Sequence, residues 1–276
     1  MKVSYIISSI GKSRKLNELL NSLIKHLNEN EIILIDNSEN KALQQYKKNK
    51  AIHYYHEEKI GLSNARNRGA KEASNELLVF LDDDIIPKSS FFEALNSYAN
   101  NKSLKAIVGG KIIPKEIPEF LPIKYQYIAG MKDFGDDKKI LPKYKYLGGC
   151  LLVMTKETFN KVNGFNNNFG HDGSKLGANE DVLIQDIARK NGINMIYDPK
   201  LYVIHYWTGN YEVAIKRIEI QGKSDYLLDK KYHKIRLFLK LIKYKLFIVL
   251  KKKSNDLTDI YDIVRYKSYV NYKRNR

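Results

Sequence analysis

An α/β fold, a mainly parallel sheet with helices on both faces, is predicted by three observations. Short apolar runs alternate with segments of helical spacing, in the order strand, helix, strand and again strand, helix, strand. Carboxylates stand where two of these runs stop, Asp36 on one and Asp82, Asp83 and Asp84 on another. Sheets of this kind hold ligands beyond the carboxyl ends of their strands, so these acids face one crevice. The chain has 276 residues, 43% of them hydrophobic, which suits one large domain or a domain with a small appendage.

The elements follow in order. "VSYIISSI" (3–10) is an apolar, β-branched run and reads as the first strand. "KLNELLNSLIKHLNE" repeats apolar residues at Leu16, Leu19, Leu20, Leu23, Ile24 and Leu27, the spacing of a helix. "EIILIDN" (31–37) and "AIHYYHE" (51–57) read as strands, "LSNARNRGAKEAS" (62–74) as a helix and "LLVFLD" (77–82) as the fourth strand. "SSFFEALNSYA" (89–99) is a helix and "LKAIVGGKIIP" a strand. Residues 114–145 are irregular. "GGCLLVMTKETFNKV" (148–162) returns to strand and helix, and 163–178 is loop by composition. "NEDVLIQDIARKNG" (179–192) is a helix with Asn179 as its cap, Glu180 and Asp181 in its first turn and Gly192 at its end. "INMIYDPKLYVIHYW" (193–207) is strand again.

Charge and cysteine narrow the setting. Cys150 is the only cysteine, so no intrachain disulfide forms and a reducing, cytoplasmic compartment is expected. The N-terminal apolar run is too short for a membrane span and reads as a strand rather than a signal peptide. Net charge is +17, of which residues 230–276 carry +12, from 15 Lys/Arg and 3 Asp/Glu.

The aspartates at 82–84 sit between "VFL" and "IIP", which holds them against the core. Carboxylates placed there need a counter-charge, and a hard divalent cation such as Mg²⁺ or Mn²⁺ supplies one. The Glu180–Asp181 pair has two readings: stabilisation of a helix N-terminus through its dipole, or acid–base chemistry.

These blocks resemble the family-2 inverting glycosyltransferases of the GT-A fold, the bacterial surface-glycan type among them. The similarity runs from "EIILIDNSEN" through "GLSNARNRGAKEASNELLVFLDDDIIP" and "GGCLLVMTKETFNKVNGFNNNF" to "GANEDVLIQDIARKNG". It implies a nucleotide-sugar donor, UDP-linked by family habit, a glycan or lipid-linked glycan acceptor, and Mn²⁺ or Mg²⁺ as cofactor. By position, the resemblance gives Asp36 the donor base, Arg66 the nucleotide or its diphosphate, and Asp82 the ribose or a share of the metal. Asp83 joins the donor-binding group without a distinct role. Asp84 is the metal ligand, and His205 completes the metal site. Gly149, with Gly148, lets donor or acceptor approach the backbone. Asp181 is the general base, expected to stay ionised at a helix N-terminus. Glu180 and Trp207 fall in the acceptor or sugar region. Two alternatives stand beside this reading, a sugar-nucleotide nucleotidyltransferase and a non-catalytic sugar- or surface-binding protein.

The division expected is a catalytic domain over 1–229 and a basic helical tail over 230–276. "KKYHKIRLFLKLIKYKLFIVLKKK" (230–253) is amphipathic and cationic, with Ile235, Phe238, Leu239, Ile242, Leu246 and Val249 at helical spacing. Basic residues interrupt it too often for a membrane span. It reads as a helix lying on an anionic membrane surface, at the inner face of the cell membrane, or packed on the catalytic domain. No nucleic-acid module accompanies the charge, so nucleic acid is not expected as a partner.

Overall fold

The computed structural model describes residues 1–169, 178–232, 234–252 and 254–272. Strands β1 (Val3–Ser9), β2 (Glu31–Asp36), β3 (Ile52–His56) and β4 (Leu77–Asp82) pair in parallel in the order β3-β2-β1-β4. Later come β5 (Ile85–Pro87), β6 (Ala106–Pro114), β7 (Lys139–Ile140), β8 (Leu151–Thr155) and β9 (Asn194–His205). The sheet continues through β8, antiparallel to β4, into β6 and β9, which run parallel to each other. The short β5 and β7 each pair antiparallel with β9.

Alternation along the strands feeds two cores. On one face Tyr5, Ile7, Leu34, Val79 and Leu81 pack with α1 (Leu16–Ile24) and, through Phe91, Leu95 and Tyr98, with α3 (Ser89–Ala99). On the other face Ile6, Ile35, Leu78 and Phe80 meet α2 (Leu62–Glu72), α4 (Lys156–Lys161) and α5 (Glu180–Lys190). Helix α2 lies close on β1: a Cβ added at Gly69 would stand 2.3 Å from Ile6 Cγ2, so only glycine allows that approach. The helix expected to run to residue 29 stops at Ile24, and Asn28 takes a left-handed φ of 42° that turns the chain toward β2.

The C-terminal helical region departs most from the expectation. Helix α6 (Tyr211–Tyr232) spans residue 229, so the expected boundary between domain and tail falls inside a helix. Helices α7 (Lys234–Leu250) and α8 (Leu257–Tyr272) follow. Helix α8 crosses α6 closely, where a Cβ at Gly222 would meet the Arg265 carbonyl oxygen at 2.3 Å. Its Tyr261 packs with Ala214 and Ile218 of α6 and with Tyr125 and Ile128 of the 3₁₀ turn at 123–129. Asp262, buried, accepts hydrogen bonds from Lys124 and from the Tyr125 hydroxyl. Residues 230–272 are therefore packed onto the domain rather than hung from it. Among the described residues no helix is long and apolar enough to cross a membrane.

Candidate active site

Strand register sets the site. Asp36 pairs with Ser9 across β2–β1 and Asp82 with Ser8 across β1–β4, so both acids end their strands on one edge of the sheet. Asp83 and Asp84 then form the two-residue turn into β5. Because β5 pairs with β9 in the register Ile85–His205, and Tyr206 N donates to the Asp84 carbonyl at 2.8 Å, the end of β9 lies beside this turn. His205 Nε2 thereby stands 3.4 Å from Asp84 Oδ1, across 121 residues of chain.

Each aspartate has its own environment. Asp82 Oδ1 accepts from Arg66 Nη2 at 2.8 Å. Asp83 is held by the Ser9 hydroxyl, while its carbonyl accepts from Ser13 Oγ at 2.7 Å, so it ties the turn to the loop after β1. Burial pushes the Asp83 carboxyl up to about 7; the Ser9 hydrogen bond opposes this, and Asp84 and Asp82 reinforce it. Burial also pushes Asp84 up to about 7, reinforced by Asp82 and opposed by Arg217. His205, 6% exposed, is lowered by burial and so stays neutral, and its Nδ1 has no partner among the described residues.

Arg66 is the hub. It is 2% exposed, and its guanidinium donates to Asp82, to Glu180 Oε1 at 3.0 Å and to the Gly149 carbonyl at 2.8 Å, with the Phe165 ring 5.2 Å away. It thus joins the end of β4, the start of β8 and the start of α5. Its donors face protein carboxylates and a carbonyl, whereas the sequence led us to expect it at a nucleotide. Asp181 follows Glu180 on α5 and lies against Gly149, where an added Cβ would meet Asp181 Cβ and Oδ2 at 2.8 Å. The space that a side chain at Gly149 would fill is taken by this carboxylate. Asp181 Oδ1 accepts from Val182 N at 2.9 Å. The helix terminus does not keep Asp181 low. Burial raises it, against the opposing charges of Lys132 and Arg66, and burial likewise raises Glu180.

Three further residues sit differently from what the sequence suggests. Asp36 is fully buried, and its two oxygens accept from Ser38 N, Ser38 Oγ, Leu43 N and the Tyr54 hydroxyl, so it shapes the loop 36–43. Contact with a nucleobase would require one of these bonds to be given up. Asn179 does not cap α5: at φ 73° it donates instead to Asp225 Oδ1 of α6 at 3.0 Å. Trp207 is half-buried, edge-on to Phe120, with the Arg217 guanidinium 5.9 Å from its ring. Of the loop expected over 163–178, residues 170–177 lie outside the described residues.

Two cations at the site have no sequence motif. Lys132 faces Asp181 from the irregular segment, and Arg217 reaches from α6 into the field of Asp84 and Asp82 while donating to the Ile128 carbonyl at 3.1 Å. Their approach depends on folding of segments that carry no local pattern.

A cation fits here. Asp84 and neutral His205 present an oxygen and a nitrogen to the same space, and burial and the neighbouring Asp82 raise Asp84 more than Arg217 lowers it, so a further cation there would be favoured. Among the described residues no three side chains of His, Cys, Asp or Glu close around a metal, so the remaining ligands would come from water or a bound phosphate.

The sheet order, the strand-end acids and the Glu-Asp helix together define a glycosyltransferase of the GT-A type. The family model for glycosyl transferase family 2 matches residues 4–162, and the chain belongs to that family. It is 26% identical over 184 residues to the glucosyl-dolichyl phosphate glucuronosyltransferase of Haloferax volcanii, covering 64% of this chain and 58% of that one. The crystal structure of GalNAc-T7 with UDP, GalNAc and Mn²⁺ matches with a TM-score of 0.62 at 16% identity, covering 99% of this chain and 55% of that one; this likeness is one of fold. The chain spans little more than half the length of either relative.

Proposed function

We propose that the protein transfers a sugar, with inversion, from a nucleoside-diphosphate donor to a hydroxyl of a lipid-linked or other glycan acceptor. One observation carries this reading: buried Arg66 ties Asp82 of the strand-end cluster to Glu180 beside Asp181, so a diphosphate site and a base share one crevice. The acceptor oxygen attacks the anomeric carbon as the bond to the diphosphate breaks. The proton of the acceptor hydroxyl passes to Asp181, and the nucleoside diphosphate departs. Burial raises Asp181, which makes its carboxylate a better proton acceptor near neutral pH. Asp84 and His205 would hold Mn²⁺ or Mg²⁺, which when bound supplies charge neutralisation at the diphosphate. Arg217 adds a fixed positive charge on the same side. The UDP and Mn²⁺ named with the structural relative, and the dolichyl-phosphate-linked acceptor named with the sequence relative, support a UDP donor and a lipid-linked acceptor.

The test is a thermal-shift screen of UDP-, GDP-, dTDP- and CMP-sugars with Mn²⁺, followed by product detection. One donor should raise the melting temperature only when the metal is present, and Asp84→Ala should abolish that shift. Asp181→Asn should keep it and lose transfer by about 10²–10⁴-fold. Full turnover in excess chelator would sink the metal assignment, and near-normal turnover by Asp181→Asn would leave that residue only a helix-end role.

A further inference from the structure

Helix α7 has two apolar stripes. Leu237, Leu241, Tyr244 and Ile248 face inward and pack with Tyr226, Tyr266 and Tyr269, with the Tyr244 and Tyr266 rings stacked at 3.8 Å. This stripe fixes the helix to the rest of the protein. Among the described residues nothing covers the second stripe. Ile235, Phe238, Leu239, Ile242, Leu246 and Val249 are between 55% and 80% exposed. Helical spacing places them on one arc, roughly 100° wide at 3.6 residues per turn. An apolar face this continuous is rare on a protein surface that meets only water.

The charges around the arc say what covers it. On the same wheel Lys245 borders one side and Lys243 the other, and Lys252 follows in the turn after the helix. Lys243, Lys245 and Lys252 are exposed and carry no ion pair with any described residue. Arg236 and Lys240 are drawn in to buried Asp229, which accepts from Lys240 at 2.9 Å and keeps them on the inner side. The result is an apolar strip with an exposed lysine on each edge, Lys245 on one and Lys243 on the other. A second copy of the chain seated on the strip would bring lysine fringes together, and a nucleic acid would leave the apolar arc in water. An anionic lipid surface satisfies both parts at once: acyl chains take the arc, and headgroups take the lysines.

We propose that α7 docks the protein on anionic lipid bilayers, lying in the headgroup plane with Phe238, Ile242 and Leu246 inserted. The inward stripe holds the helix rigidly, so the whole domain is placed at the surface in one orientation. This inference stands apart from the transferase reading, because it uses no residue of the carboxylate crevice.

The experiment is co-sedimentation of the full chain with vesicles of phosphatidylcholine alone or with 30% phosphatidylglycerol, a composition chosen to be strongly anionic, at low and high salt. Binding is expected only to the anionic vesicles, weakening with salt because the attraction is screened over about 8 Å at physiological ionic strength. Lys243→Ala with Lys245→Ala should weaken partitioning on the order of 25-fold, about fivefold for each lysine. Phe238→Glu with Leu246→Glu should abolish binding while circular dichroism and the donor-induced thermal shift stay as in the parent. Two results overturn the proposal. One is a full chain that ignores anionic vesicles at low salt. The other is a concentration-dependent dimer that the Phe238→Glu, Leu246→Glu variant converts to monomer, which gives the strip to a second copy. Vesicle binding reads this proposal alone, and the donor shift reads the transferase reading alone.

Discussion

Gly149→Ala is a small change that should separate positioning of the base from everything else. The backbone at Gly149 is outside the left-handed region, so alanine is conformationally allowed there. The difficulty is space. The new Cβ would lie 2.8 Å from Asp181 Cβ and Oδ2 and 3.0 Å from Asp181 Cγ, where ordinary contact begins near 3.4 Å. Rotating the carboxylate cannot relieve a clash with Asp181 Cβ, which is fixed to the backbone of α5. The first turn of α5 must therefore retreat by roughly half an ångström, and misplacement of a reacting group by about 1 Å costs about 10²-fold in rate. We expect turnover to fall about 10- to 100-fold. Donor affinity, measured by titration calorimetry with Mn²⁺, should change by no more than about twofold, since Asp84 and His205 are untouched. The retreat also stretches the Arg66–Glu180 contact at 3.0 Å, so a modest drop in melting temperature is expected. Parental turnover in a folded Gly149→Ala protein would refute the argument that Asp181 is held in a working position by contact with this glycine. A large loss of donor affinity with turnover at saturation preserved would move the close approach to the donor side.

Three other outcomes follow from the packing. Arg66→Met should destabilise the fold by about 3–5 kcal/mol, toward the lower end because Asp82 is 29% exposed, and urea unfolding with no measurable change would contradict its role as the buried counter-charge. Burial pushes the Glu31 carboxyl up, but hydrogen bonds from Ser4, Ser74 and Asn75 outweigh it and hold it below the usual carboxylate value. Its contribution is present above the unfolded value of 4.5 and is lost as pH falls through the lower folded value, so Glu31→Gln should flatten the acid side of the stability profile measured by urea melts; superimposable profiles would count against this. A chain ended at residue 229 should aggregate or lose cooperative melting, because it strips α8 from Tyr125 and Ile218, and a soluble, cooperatively folded product would show the helical tail to be an appendage after all.

What the sequence shows of this fold depends on how each element is buried. Strands β1, β2 and β4 are largely apolar runs buried on both faces, and α1 and α3 carry one apolar stripe each, so these elements are plain in the sequence. Strand β5 is three residues long and exists only because β9 pairs with it, so no local signal marks it. Helices α6 and α8 bury tyrosines and paired ions among a few scattered aliphatic residues. Tyr261 and Tyr269 are fully enclosed, Tyr269 donates to Asp229 at 2.9 Å, and Arg265 donates to Asp225, so hydrophobic spacing misses both helices. The site divides the same way. Strand-end aspartates and the Glu-Asp helix start are local patterns. Arg66 reads as a ligand contact from sequence because its partners Asp82 and Glu180 lie 16 and 114 residues away.

The C-terminal layer belongs to the site more than its charge suggests. Arg265 of α8 donates through two nitrogens to Asp225 Oδ2 of α6, at 2.9 and 2.6 Å. The other oxygen of Asp225 accepts from Asn179, the residue directly before Glu180 and Asp181. A backbone in the left-handed region at Asn179 gives up side-chain capping of α5, and this chain of bonds holds that turn in place of a cap. The position of Asp181 therefore rests on Gly149 and Arg66 from the sheet side and on Asp225 and Arg265 from the helical side. The same α6 carries Arg217 toward Asp84. A helix that serves the base with one side chain and the acidic cluster with another cannot be detached from the chemistry. Lys243 and Lys245, on the outer face of α7, belong to the charge that made residues 230–276 look separate, while the acids and tyrosines facing inward join this layer to the catalytic crevice.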